Sequence, residues 1–307
     1  MIQSFNQPIS GIFSPTLTAY HPDGSVNCKG VRRFVRYLLN QGVHGLAPLG
    51  SAAEPVALTT EERMDILDAI VAETAGRVPI YAGVGHYSTQ TTIELGLHAK
   101  SLGCDGLMLM APYLLRPPKR DVLNYFRQVR EKVGLPIMMY NVPVLTGCEV
   151  TPAEIKLLAD EDVVHAVKWS HLEVSRIHDT RLFCGPGFPI FAGVDVIAFE
   201  ALAVGADGWI SGLPIIVPAL AVKLHRLLHC EKNLEAAREL WYRLLPIIHV
   251  EYRAMNDDGG DPHWLAVCRE SADLRGLDIG SARPPMSSVS PAVREELKNL
   301  LIGLGEL

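Results

Sequence analysis

Short apolar segments alternate along the chain with longer segments in which apolar residues recur at helical spacing. The short segments are rich in β-branched and aromatic residues and are predicted to be strands, at residues 12–20, 45–50, 79–85, 106–112, 136–143, 163–170, 188–195 and 207–212. A predicted helix follows each of them, at residues 28–41, 59–76, 88–103, 119–134, 151–160, 171–184, 196–204 and 214–229. The strands are almost continuously apolar, which is typical of a parallel sheet covered on both faces.

Several predicted helices carry sequence signals for their first and last residues. Thr59 and Thr151 each precede a glutamate by three residues, which is the pattern of a capping box. Gly134 stands where a helix should end and the chain reverse.

Eight strand–helix units are the number found in a (β/α)8 TIM barrel, an α/β fold. An open doubly wound sheet is the alternative, and the first strand lacks the G-x-G-x-x-G turn expected there. Two further helices are predicted at 234–255 and 263–276, and a last one at 291–302, after a Pro-, Gly- and Ser-rich loop. We therefore expect a barrel containing the active site over residues 1–230 and a helical C-terminal extension packed on it over residues 231–307.

The composition narrows the class of protein. Apolar residues make up 48% of the 307 residues and charged residues 20%, which is enough apolar surface for a large core. The formal net charge of −6 provides no basic field for nucleic acid. The six cysteines show no zinc-binding spacing, and no metal is expected. No segment has the pattern of a signal peptide or a membrane span, so we expect a cytoplasmic protein with no membrane contact.

Lys168 interrupts the apolar run of the predicted sixth strand near its carboxyl end, where TIM barrels place their chemistry. A buried ammonium is costly unless it is paired or gives up its proton. An unprotonated lysine amine attacks ketones and forms a Schiff base. The alternative is a lysine at the barrel rim that reaches solvent or pairs with a carboxylate.

Tyr140, at the end of the preceding strand, could transfer protons to and from such an adduct. Ser51, after strand 2, could relay the proton or bind a substrate carboxylate, together with the backbone N–H groups that follow Gly50. Each residue also has an ordinary structural role, as a core tyrosine and as a capping serine.

The order Gly50-Ser51-Ala52-Ala53-Glu54, Tyr140-Asn141-Val142-Pro143-x-x-Thr146-Gly147 and Lys168 resembles the dihydrodipicolinate synthase/N-acetylneuraminate lyase family. The resemblance implies a (β/α)8 barrel, a homotetramer or homodimer, and aldolase or dehydratase chemistry on pyruvate or larger 2-oxo acids without a cofactor. It further implies that Lys168 forms the Schiff base, that Tyr140 transfers protons and that Ser51 belongs to the proton relay. Substrate would contact Ala52, Ile210 and Tyr113.

Four positions depart from the family pattern. Ala52 lacks a hydroxyl, and Ala53 replaces a glycine, which suggests that this turn needs no positive φ there. Leu114 and Leu145 stand where dihydrodipicolinate synthases carry a tyrosine and a carboxylate-binding arginine. A leucine supplies neither a proton nor a carboxylate clamp.

The sequence therefore predicts a Schiff-base lyase acting on pyruvate or a larger 2-oxo sugar acid. Two alternatives stay open. One is a 4-hydroxy-tetrahydrodipicolinate synthase that condenses pyruvate with aspartate semialdehyde. The other is a non-catalytic protein that binds 2-oxo acids.

Overall fold

The computed structural model describes residues 9–253 and 261–307. Its centre is an eight-stranded parallel sheet, as the sequence predicts. The strands are shorter than predicted, and they are β1 Gly11–Pro15, β2 Gly45–Ala47, β3 Tyr81–Gly83, β4 Gly106–Met110, β5 Ile137–Asn141, β6 Ala166–Trp169, β7 Ile190–Ala192 and β8 Gly208–Trp209.

The sheet closes on itself to form a barrel. Neighbouring strands pair in the order β2-β1-β8-β7-β6-β5-β4-β3. A parallel bridge between Leu46 and Ile80 joins the two ends of this order. The N–H of Gly83 also donates to the Pro48 carbonyl at 2.8 Å. The fold class is thus confirmed as a (β/α)8 TIM barrel.

Thirteen α-helices surround and extend the barrel within the described residues. They are α1 Cys28–Asn40, α2 Thr60–Thr74, α3 Thr89–Ser101, α4 Lys119–Val133, α5 Pro143–Thr146, α6 Pro152–Asp160, α7 Ser175–Cys184, α8 Ala198–Ala203, α9 Leu213–Ile216, α10 Pro218–His229, α11 Leu234–Glu251, α12 Trp264–Asp273 and α13 Pro291–Leu304.

The predicted helix boundaries are accurate where a cap defines them. Both predicted capping boxes are present at the starts of α2 and α6, and Gly134 ends α4 in the left-handed conformation. The helix predicted over 214–229 is divided into α9 and α10, because Pro218 lacks the N–H that an uninterrupted helix would need. Residues 254 and 255 of the helix predicted over 234–255 lie outside the described residues.

Alternate side chains of the strands pack into two cores. The barrel interior holds Phe13, Tyr81, Met138 and Phe191 among others. A larger core lies between the strands and the helices. Trp241 of α11 belongs to this larger core and packs edge-on against Trp209 of β8, with ring centroids 6.5 Å apart. The helices after residue 230 therefore share the barrel's core.

No helix in the described ranges combines the length and the apolar character needed to cross a membrane. The predicted cytoplasmic location stays a prediction.

Candidate active site

A cavity of about 350 Å³ opens at the carboxyl ends of the strands, where TIM barrels hold their active sites. Ser51, Tyr140 and Lys168 all line it. Its other polar side chains are Ser170, His171, Ser211, Glu251, Tyr252 and Trp264, and no arginine of the described chain lines it. Much of the remaining lining is apolar, from Pro15, Met108, Val142, Pro143, Val144, Leu145, Leu172 and Val194.

Lys168 and Tyr140 are neighbours because their strands are in register. Tyr140 of β5 pairs with Lys168 of β6, and both side chains are almost fully buried. Alternation along β6 sends Val167 and Trp169 to the outer core, while Ala166 belongs to the interior. The Lys168 Nζ atom lies 3.8 Å from the centroid of the Tyr140 ring. Within the described residues, no carboxylate forms a salt bridge with this amine.

The hydroxyl groups of Tyr140 and Ser51 are joined by a hydrogen bond of 2.9 Å. The two residues are 89 positions apart in the chain, and the closed barrel brings them together. The hydroxyl pair therefore lies beside the Lys168 amine in the same cavity. This arrangement can pass a proton between the cavity and the phenol.

The turn after β2 holds Ser51 in place. Residues Ser51–Ala53 form a 3-10 helix, and Glu54 takes the left-handed conformation with φ of 57°. Ala53 has no positive φ, which confirms what the sequence suggested for this position. Glu54 is buried and accepts a hydrogen bond of 2.9 Å from Arg269 of α12. Burial raises the pKa of Glu54, and the positive charge of Arg269 opposes that rise.

The structure separates the predicted substrate-contacting residues into two groups. Ala52 lines the cavity, as do Leu145 and the two hydroxyl residues. Ile210 lies in the barrel interior with Tyr140, below the cavity lining, and its N–H donates to the Ala192 carbonyl at 2.8 Å. Tyr113 does not line the cavity and lies near the buried Arg63. The contacts of Ile210 and Tyr113 with substrate stay predictions.

Asp195, which follows β7, is not the N-cap of its own 3-10 helix, and its carboxylate instead reaches the first N–H groups of α9. It is fully buried and accepts hydrogen bonds from the N–H groups of Gly212 and Leu213, both at 3.0 Å. The Ser211 hydroxyl donates to the same carboxylate at 2.5 Å and the Tyr252 hydroxyl at 3.3 Å.

Glu251 and Tyr252, at the end of α11, are cavity residues that the sequence did not predict. The side chain of Glu251 is 1% exposed, and its Oε2 atom has no hydrogen-bond partner among the described residues. Burial and the neighbouring Asp195 raise the pKa of Glu251 well above the ordinary carboxyl value. In the sequence, Glu251 is an acidic residue of the helix predicted over 234–255, and nothing local marks it as a cavity residue.

His225 and His229 are spaced like metal ligands, but their rings stack in parallel with centroids 4.3 Å apart. Burial lowers the pKa of His225 to about 4. Across residues 9–253 and 261–307, no group of three histidine, cysteine or acidic side chains is arranged to hold a metal ion. This pair is therefore a packing contact of α10.

Residues 8–303 match the sequence model of the dihydrodipicolinate synthetase family, so the chain belongs to this family. The 4-hydroxy-tetrahydrodipicolinate synthase of Pelobacter propionicus is 31% identical over 275 residues, covering 90% of this chain and 92% of that enzyme. A prophage protein of the dihydrodipicolinic acid synthase family from E. coli K12, solved in complex with pyruvate, is 30% identical with a TM-score of 0.89. The alignment covers 97% of this chain and 99% of that structure.

A catalytic-lysine mutant of the sialic acid aldolase from Ruminococcus gnavus has the same fold, with a TM-score of 0.89 at 22% identity. The alignment covers 97% of each chain.

Proposed function

Since the chain belongs to the dihydrodipicolinate synthetase family and is a lyase, we propose that it cleaves or forms 2-oxo acids through a Schiff base on Lys168. The observation that carries the proposal is the position of the buried Lys168 amine, in one cavity with the hydrogen-bonded hydroxyl groups of Tyr140 and Ser51. An amine attached to a strand and enclosed by apolar side chains is a suitable nucleophile for a ketone.

The proposed reaction begins when the unprotonated Lys168 amine attacks the ketone carbon to form a carbinolamine. A proton delivered by Tyr140 to the carbinolamine hydroxyl then lets water leave, and the nitrogen becomes an iminium ion. With the carboxylate carbon counted as C1, the iminium carbon is C2. In the cleavage direction, the hydroxyl on C4 loses its proton as the bond between C3 and C4 breaks. The bonding pair moves toward the iminium nitrogen, so an enamine forms and an aldehyde leaves. Protonation of the enamine carbon and hydrolysis then release pyruvate and the amine. Tyr140 transfers these protons, with Ser51 as its partner.

The substrate carboxylate is proposed to bind at the turn after β2. The first N–H groups of a helix have no partner within it, and Ser51 and Ala52 occupy that position in the 3-10 helix. Both residues line the cavity. Ala52 contributes its N–H group but no hydroxyl.

Borohydride reduction in the presence of pyruvate tests the proposal. A stable adduct should form at Lys168, be located by peptide mass spectrometry and abolish activity. Lys168→Ala should remain folded and form no adduct, while Lys223→Ala, which removes an exposed lysine of α10, should be trapped as the wild type is. Absence of an adduct with every 2-oxo acid tried would contradict the Schiff base.

Aspartate semialdehyde is the second substrate that the synthase relatives suggest. Against it, Leu145 lines the cavity where those synthases are expected to carry an arginine, and no arginine of the described residues lines the cavity. We therefore favour an aldolase or dehydratase acting on a larger 2-oxo acid. Efficient turnover of pyruvate with aspartate semialdehyde would reverse this preference.

A non-catalytic role in 2-oxo acid binding is disfavoured by the site itself. The hydrogen bond between Ser51 and Tyr140 keeps the proposed relay complete despite the changes at Ala52 and Leu114. Exchange of the pyruvate methyl protons for deuterium distinguishes the two roles, because a binding protein without proton transfer would not catalyse it.

We also propose that the chain forms a homodimer or homotetramer. Leu114, Leu115 and Leu182 are 82%, 69% and 80% exposed in the single chain. Large exposed apolar side chains are typical of surfaces that another protein covers. Sedimentation velocity tests this proposal, and a monomer at micromolar concentration would contradict it.

A further inference from the structure

Two carboxyl groups meet at the wall of the cavity that contains Lys168. This wall is lined by Glu251, Ser211, Gly212 and Tyr252. Asp195 lies beneath it and is bonded to three of those residues. We call Asp195 and Glu251 the carboxyl pair.

The two members of the carboxyl pair differ in the hydrogen bonds that they receive. Burial raises the pKa of Asp195, but the carboxylate accepts four hydrogen bonds, from two backbone N–H groups and two hydroxyl groups, which oppose that rise and favour the ionised form. Glu251 receives none from the described residues, and burial together with the charge of Asp195 raises its pKa well above the ordinary value. The hydrogen bonds therefore favour a proton on Glu251 rather than on Asp195.

The wall offers hydrogen-bond acceptors to whatever fills the cavity. The Ser211 hydroxyl proton points to Asp195, so the Ser211 oxygen is left to accept, whereas the Tyr252 oxygen already accepts from the Asp195 N–H at 3.0 Å. A neutral carboxyl group keeps a carbonyl oxygen that accepts as well. An added Cβ at Gly212 would lie only 1.8 Å from Oε1 of Glu251. Glycine at this position therefore leaves room for the Glu251 carboxyl group at the wall.

A ligand that meets this wall has to supply donors and carry no negative charge there. A carboxylate accepts hydrogen bonds only and would be repelled by the charge of the pair. Carbon–carbon cleavage through Lys168 requires a hydroxyl group on the substrate in any case, and a polyhydroxy chain carries further donors of the same kind.

We propose that Glu251, together with Ser211, is a specificity determinant that accepts hydrogen bonds from hydroxyl groups on an uncharged distal part of the 2-oxo acid, and that the charge of Asp195 behind them disfavours a distal carboxylate. The inference rests on the proposed function and adds to it the residues that would select a 2-oxo acid ending in a neutral hydroxylated chain.

Two probes that both release pyruvate on cleavage test the inference. 2-Oxo-3-deoxygluconate ends in a neutral hydroxylated chain, whereas 4-hydroxy-2-oxoglutarate ends in a carboxylate. The wild type should prefer the first by at least about tenfold in kcat/KM. Glu251→Leu should reduce this preference by about tenfold, mainly through a higher KM for the neutral probe, because one hydrogen bond is worth up to about that factor.

Two variants separate the hydrogen-bonding role from packing. Glu251→Gln keeps an acceptor oxygen and should retain the preference within about threefold. Ser211→Ala removes another acceptor and should lower the preference as Glu251→Leu does, so the inference is testable even if Glu251→Leu does not fold. Glu239→Leu, which changes an exposed glutamate of the same helix, is the matched control.

The inference and the proposed function fail in different ways. An unchanged preference in both Glu251→Leu and Ser211→Ala would overturn the inference, as would a wild-type preference for the dicarboxylate. If borohydride traps pyruvate on Lys168 but neither probe is cleaved, the inference is wrong and the Schiff base stands. If pyruvate is not trapped at all, the proposed function is wrong and the inference is overturned with it.

Discussion

Tyr140 contacts the reacting amine and Ser51 is bonded to Tyr140, so we expect removal of their hydroxyl groups to have unequal effects. The Tyr140 ring is in contact with Lys168, whereas Ser51 reaches the amine only through the phenol. Tyr140→Phe should slow deuterium exchange into pyruvate by about 10²- to 10⁴-fold, the usual contribution of a positioned acid–base group. Ser51→Ala should slow it by roughly tenfold, the order of one lost hydrogen bond.

The measurement is the rate of loss of the pyruvate methyl signal in heavy water. Tyr242→Phe, which removes an exposed phenol on α11, is the control and should exchange at the wild-type rate. Equal effects of Tyr140→Phe and Tyr242→Phe would rule out the phenol as the group that transfers the proton.

Glu251 should make the folded protein less stable as the pH rises. Its pKa is raised in the folded state, so folding takes up a proton whenever the pH lies between the ordinary carboxyl value and the folded value. In that window the free energy of unfolding falls by up to about 1.4 kcal/mol per pH unit. The ionisable side chains around Glu251 are those of Asp195, Tyr252 and Cys268. A negative charge on any of them opposes the ionisation of Glu251.

Glu251→Gln should remove this contribution, because a glutamine stays neutral at every pH. The difference between the two proteins in urea unfolding should therefore grow from about pH 5 to pH 8 in favour of the variant. Glu239→Gln should unfold with the pH dependence of the wild type. Parallel curves for the wild type and Glu251→Gln would show that Glu251 is ionised in the folded protein.

Sequence patterns predicted some cavity residues and could not predict others. Lys168 is a charged residue within an apolar strand, and Tyr140 stands at the end of the preceding strand, so both positions are determined by strand pairing. Glu251 is the last residue of α11, which begins at Leu234, 25 residues after the end of the last barrel strand at Trp209. Its place at the cavity depends on how α11 packs, and no local pattern records a tertiary contact of that kind.

At the scale of elements, a buried ion pair joins α12 to the turn that carries Ser51. Arg269 bonds to Glu54 and also donates to the carbonyl groups of Thr18, Ile279 and Gly280. Arg269→Met should lower the free energy of unfolding by about 3 kcal/mol, because the buried Glu54 charge loses its side-chain partner and keeps only the more distant charge and the backbone N–H of Arg283. It should also reduce trapping of pyruvate at Lys168, since the turn loses its support.

The exposed pair between Arg127 and Glu161 provides the control for this effect. Arg127→Met should cost no more than about 1 kcal/mol, because solvent screens exposed charges. Urea unfolding measures both variants. A cost for Arg269→Met as small as that for Arg127→Met would mean that the turn after β2 does not depend on α12.

Element boundaries were predictable where a local signal sets them. The capping boxes located the starts of α2 and α6, because a cap is a contact within four residues. The strands were predicted to extend too far. The first strand was predicted to end at Tyr20, whereas β1 ends at Pro15. Hydrophobic patterns record burial, and residues beyond Pro15 are buried without pairing in the sheet.

At the scale of the whole molecule, the barrel and the C-terminal extension should unfold together. The predicted boundary near residue 230 separates two parts that share one core, in which Trp241 contacts both Phe199 and Trp209. Exposing either part alone would leave these aromatic faces in water, at a cost of several kcal/mol. Glu251 and Arg269 of the extension also reach the cavity and its supporting turn.

Pulsed hydrogen exchange at increasing urea concentration tests this coupling without changing the sequence. Peptides from β8 and from α11 should lose protection at the same urea midpoint, as a single cooperative unit does. Peptides from α1, which lies far from the extension in the chain, report on the barrel itself. Loss of protection in α11 and α12 before the strands would show instead that the extension folds as a separate unit, and the carboxyl pair would then be the part of the site that is lost first.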